Sequence, residues 1–183
     1  MRKSFILDRR AALALVTGCL LLFVSASSSA QQKYKYSFKT PPGITKYIQQ
    51  HALDVGDVPG HQIRVVELLS KFANEAPEYD GVKVVEARAW IASDYINGNG
   101  LASVYAVSTM ANGDKIFTRG EILAHTTVGA DGSKRTSFSQ VSTLSGGTGK
   151  FATIRGVLKA TGFTDFKTGT SETVTEGEYW FEK

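Results

Sequence analysis

The stretch 82-VKVVEARAWIASDYINGNGLASVYAVSTM-110 decides the fold. Residues 82–95 are rich in β-branched and aromatic side chains, Asn97-Gly98-Asn99-Gly100 is a double hairpin signal, and residues 101–110 return to the same composition. Asn and Gly accept positive φ, so the flanking strands are expected to be antiparallel neighbours. The pattern continues downstream. Asn112-Gly113-Asp114 closes the second strand, 115–128 forms a third, Asp131-Gly132 turns the chain, and strands at 134–144, 151–163 and 172–181 follow. Upstream, 61–72 reads as a strand after the Asp57-Val58-Pro59-Gly60 turn, and Tyr and Lys alternate over 33–39 before Pro41-Pro42-Gly43. Residues 44–55 stay open between helix and strand: their apolar positions have helical spacing, yet no cap precedes them.

Seven or eight strands without a clear long helix leave a sandwich or a barrel. In the strand from Val82, one parity holds Val85, Ala87, Ala89 and Ile91, and the other holds Val84, Glu86, Arg88, Trp90 and Asp94. Two partly apolar faces point to a barrel with a mixed lumen and an outer wall covered by a partner subunit or an N-terminal segment. The expected fold is therefore all-β, a single antiparallel eight-stranded closed barrel. A segment at 1–30, an N-terminal extension with the first strand or strands at 31–60, and a barrel domain at 61–183 divide the chain.

The chain has 183 residues, 42% hydrophobic and 21% charged, which excludes disorder and a polytopic membrane protein. Residues 1–30 show the order of an export signal: Arg2, Lys3, Arg9 and Arg10, an apolar run, then Ser27-Ser28-Ser29-Ala30. Cleavage after Ala30 is expected, giving a periplasmic or secreted protein with no lasting membrane anchor. A lipobox-like Val16-Thr17-Gly18-Cys19 is the competing reading. The signal holds four of the 21 basic residues and one of the 17 acidic ones, so the remainder carries +1, and a nucleic-acid partner loses its support. The single cysteine, Cys19, lies in the signal, which leaves the exported chain without disulfide or thiolate chemistry.

Ser145-Gly146-Gly147-Thr148-Gly149-Lys150-Phe151, with Arg155-Gly156 after it, resembles the glycine-rich segment of dirigent proteins and the related turn of allene oxide cyclases. It also resembles exported bacterial barrels of that superfamily. The resemblance implies an eight-stranded antiparallel barrel. It further matches Glu67 to the cyclases' catalytic glutamate, although Leu69 stands where their asparagine would be. The cyclases' pocket cysteine has no counterpart here.

Physically, Gly146, Gly147 and Gly149 allow a tight reversal, and closure of the barrel end outweighs phosphate binding because the spacing is not that of a P-loop. Glu67 shares parity with Ile63, Val65 and Leu69, which predicts an inward carboxyl among apolar neighbours; the competing parity turns Arg64, Val66 and Leu68 inward. Glu86, Arg88 and Trp90 share a face, either as an ion-paired outer wall or as a ligand patch, and Glu121 and His125 share another strand's face. His51, Asp54, Asp57 and His61 are residue types that bind metals, but turn aspartates and surface histidines account for them more simply, so neither metal nor cofactor is expected. Three function classes follow: a binder of a small hydrophobic or aromatic molecule, a cyclase, isomerase or dirigent-like protein, and a structural envelope protein. A homo-oligomer is a further expected partner state, tied to the third class.

Overall fold

The computed structural model describes residues 31–165 and 167–183, so the expected export signal lies outside the described residues. Ten strands form: β1 (Lys33–Thr40), β2 (Thr45–Asp54), β3 (His61–Lys71), β4 (Glu78–Tyr79), β5 (Val82–Ile96), β6 (Asn99–Met110), β7 (Lys115–Val128), β8 (Lys134–Gly147), β9 (Ile154–Asp165) and β10 (Thr170–Phe181). Their order is β1-β10-β9-β8-β7-β6-β5-β3-β2, with β4 attached to β5. The all-β antiparallel expectation holds. The segment left open at 44–55 is a strand.

The eight-stranded closed barrel is not what forms. Among the described residues β1 pairs only with β10 and β2 only with β3, so the sheet has two free edges. The connection between those edges is consistent with this. Pro41 and Pro42 fix φ and contribute no N–H, which disfavours a two-residue hairpin between β1 and β2, and the two strands lie at opposite ends of the sheet order.

Side chains join the β1–β10 end of the sheet to the β4–β5 corner, where backbone pairing does not. Tyr36 of β1 stacks on Tyr79 of β4 at 4.8 Å between centroids, Tyr79 meets Tyr179 of β10 edge-on at 5.3 Å, and Phe38 meets Phe72 at 5.9 Å. Offset and edge-to-face pairs of this kind add about 0.5–1.5 kcal/mol each beyond the area they bury. Asp80, held at φ +47, completes the contact. Its N–H donates to Tyr179 Oη at 2.8 Å, and Lys150 Nζ reaches its carbonyl at 2.7 Å and its carboxylate at 2.9 Å. Burial raises the Tyr79 hydroxyl pKa well above its usual value.

The main core gathers around this seam: Val84, Met110, Ile116, Leu144, Phe151 and Ile154 are its most completely buried side chains. Along one cross-strand row facing that interior, Tyr36, Leu158, Ser142 and Val104 are buried, Ile91 and Val66 are half-buried, and Gln50 is exposed. Cover thus fades toward β2, all ten of whose residues are exposed.

Tyr79→Ala is expected to cost about 3–5 kcal/mol in urea unfolding, as for other large-to-small core changes. Tyr47→Ala on β2, 69% exposed, is expected to stay within about 0.5 kcal/mol of the parent.

Candidate functional site

The Asn97-Gly98 turn sets the register of the outer wall. Both residues have positive φ, +53 and +78, which is the geometry of a two-residue type I′ hairpin. Ile96 then pairs with Asn99, and counting back places Trp90 opposite Tyr105 and Ala92 opposite Ser103. Directly paired residues share a face, so three parallel rows cross the strands. One row holds Ile63, Asp94 and Leu101; the next holds Val65, Ala92, Ser103, Glu121 and Val141; the third holds Glu67, Trp90, Tyr105, Arg119 and Thr143.

Small side chains in the middle row leave a groove. Ala92 and Ser103 form its floor beneath a hollow of about 620 Å³, and both residues, with Glu121, also line a second of about 290 Å³. One wall is Ile63 and Leu101 with the Asp94 carboxylate between them. The other is a stack: Trp90 lies against Tyr105 at 5.9 Å and 21°, and the Arg119 guanidinium sits 5.3 Å over Tyr105 from the neighbouring strand. Tyr105 is therefore sandwiched, its ring faces occupied by protein and its edge left to the groove.

The residues picked from sequence fall on this same outer wall. Trp90 and Glu121 line the groove, while Arg88 and Glu86 lie beside it as an ion pair, Nε to Oε1 at 3.0 Å. His125 pairs with Ser137 farther along β7 and does not reach the groove. Glu67 corrects its expectation: Val66, paired with Ile91, faces the interior, and Glu67, paired with Trp90, faces outward. It is nonetheless only 8% exposed, because Arg88 Nη1 donates to one carboxylate oxygen at 2.9 Å and Gln49 Nε2 to the other at 3.0 Å. Tyr105, Arg119, Ala92 and Ser103 were not selected from sequence. The signal was present, since a two-residue Asn-Gly turn fixes every pair in the hairpin.

The glycine turn is closed by its own chain. Gly149 has φ +51 and opens a single 3-10 turn to Phe151; the Lys150 N–H donates to Asp114 Oδ2 at 3.0 Å, and Thr148 Oγ1 accepts from the Lys115 N–H at 2.9 Å. A Cβ on Gly149 would lie 2.0 Å from Asp114 Oδ1, and one on Gly147 would lie 2.1 Å from the Lys115 carbonyl oxygen. Gly146 also has positive φ, +123. The carboxylate of Asp114 thus takes the place an external anion would need.

Of the four metal-type residues, His51 sits exposed on β2, Asp54 accepts from Gln62, and Asp57 holds His61. His61 bridges two carboxylates: Nδ1 meets Asp57 Oδ1 at 2.6 Å and Nε2 meets Asp94 Oδ1 at 2.7 Å. The acids lie on opposite nitrogens and do not converge on a common point. The hydrogen bond to Asp94, then that to Asp57, raises the His61 pKa; donation from His61, then from the Val58 N–H, lowers that of Asp57.

No known family model and no curated protein matches the chain.

Raised in the fold, the His61 pKa makes a contribution that is complete below about pH 6.5 and is lost as pH rises through the folded value. The lowered Asp57 value contributes above about pH 3.9 and is lost on acidification. The Tm advantage of the parent over His61→Gln, followed from pH 4 to 9, is expected to be greatest between the two limits and to shrink above pH 7.

Gly149→Ala is expected to lose more stability in thermal melts than Gly132→Ala. At both sites alanine would take on the roughly 1–3 kcal/mol strain of a left-handed backbone, but Gly132 has open space around it and Gly149 has Asp114.

Proposed function

We propose that the chain is an exported protein that binds a small hydrophobic or aromatic molecule on its outer wall without transforming it. The observation that carries this reading is the groove itself. Two small side chains, Ala92 and Ser103, form its floor between the wall of Ile63, Asp94 and Leu101 and the Trp90–Tyr105–Arg119 stack. Apolar walls with a few polar groups are the usual make-up of a small-molecule site. The charge order of residues 1–30 supports export.

The state of Glu67 favours binding over cyclase chemistry. Both of its oxygens already accept hydrogen bonds, and it is covered by Gln49 and Arg88 rather than directed at a substrate. An acid catalyst needs a face free to meet the reacting atom. The envelope-protein reading draws instead on β2, which presents an unpaired edge and ten exposed residues to a partner.

Filling the floor separates these readings. Ala92→Leu is expected to weaken binding of 1-naphthol, followed by Trp90 fluorescence in a Trp180→Phe background, at least tenfold while Tm moves by no more than about 2 °C, the expectation for an exposed surface change. Unchanged 1-naphthol binding by Ala92→Leu would place the ligand elsewhere.

A further inference from the structure

Two charges in the groove have no ion-pair partner within 4.0 Å among the described residues. The lining carries Asp94, Arg119 and Glu121. Asp94 is taken by His61, whereas among the described residues neither Arg119 nor Glu121 lies within 4.0 Å of an opposite charge. Beside the groove the same wall pairs its charges, Arg88 with both Glu67 and Glu86. Arg119 and Glu121 are two positions apart on β7 and share a face, so their backbone origins are separated by about 6.6 Å along the strand.

That spacing suits a ligand that carries both charges. An ammonium and a carboxylate on one carbon can each make a charge-assisted hydrogen bond of about 2.8 Å, the carboxylate to Arg119 and the ammonium to Glu121. A ligand with a single charge gains from one of these side chains and is repelled by the other; a zwitterion gains from both. The remaining volume runs over Ala92 and Ser103 between Ile63 and Leu101 on one side and Trp90 and Tyr105 on the other, and calls for a large apolar substituent. We propose that the groove takes a free amino acid with a large apolar side chain, its α-carboxylate on Arg119 and its α-ammonium on Glu121. This inference rests on the groove being the binding site.

Titrations of Trp90 fluorescence in a Trp180→Phe background test it with L-phenylalanine, 3-phenylpropionate, which lacks the ammonium, and 2-phenylethylamine, which lacks the carboxylate. L-Phenylalanine is expected to bind at least tenfold more tightly than either analogue. Glu121→Gln should remove its advantage over 3-phenylpropionate, and Arg119→Gln its advantage over 2-phenylethylamine. Equal affinity for all three probes would overturn the zwitterion assignment, as would binding of 1-naphthol alone; both results leave the groove as a binding site. Silence of Trp90 toward every probe, 1-naphthol included, would remove the groove reading on which the inference stands. Sedimentation equilibrium covers the remaining occupant: a dimer that Arg119→Gln and Glu121→Gln dissociate would show that a second copy supplies the counter-charges and would overturn the proposal.

Discussion

The stack of Tyr36 on Tyr79, braced by Tyr179, does the work that a row of backbone hydrogen bonds does in a closed barrel. It joins the β1–β10 end of the sheet to the β4–β5 corner, and the principal core collects beside it. Side-chain closure constrains less than a ladder does, because it acts at one level of the sheet and leaves the edges of β1 and β2 unpaired. Cover fades from Leu158 through Val104 and Val66 to Gln50, away from that seam. Phe151, fully buried, is brought to this core by the glycine turn, so the Asp114–Lys150 contact and the Lys150–Asp80 contact tie turn and seam together.

The opposite face depends on the same strands through a different rule. Antiparallel pairing puts partners on one side, so the tight Asn97-Gly98 turn alone brings Trp90 to Tyr105 and leaves the short Ala92 and Ser103 side by side. Once that row is set, Arg119 and Glu121 arrive on the same face of β7, and among the described residues neither lies within 4.0 Å of an opposite charge. The wall beside the groove is braced by the Trp90–Tyr105 stack and by the Gln49–Glu67–Arg88 hydrogen bonds.

Turn chemistry made most of the strand order legible. The hairpin signals at Asn97-Gly98, Asn112-Gly113 and Asp131-Gly132 each mark a real reversal. Closure was not legible, because it depends on Tyr36 meeting Tyr79 across 43 positions with no local pattern. The faces of β5 were obscured by an irregularity between Val84 and Glu86: Val84 is buried and Val85 exposed, after which Ala87, Ala89 and Ile91 turn inward. A simple alternation count cannot cross such a shift, and it made both faces look half-apolar. Glu67 was ambiguous for a related reason. Ile63 and Val65 on one side and Val66 and Leu68 on the other are equally apolar, so only the register with Trp90 tells them apart. Of the two readings open for the Glu86, Arg88 and Trp90 face, Glu86 and Arg88 form an ion pair while Trp90 lines the groove.

Amide hydrogen exchange read residue by residue by NMR tests side-chain closure most directly. Along β1 and β2, amides directed at β10 and β3 should be protected while alternate amides directed at the free edges exchange rapidly, because no partner strand receives them. Continuous protection of every amide in both strands would show a hydrogen-bonded seam between β1 and β2 and would contradict the account.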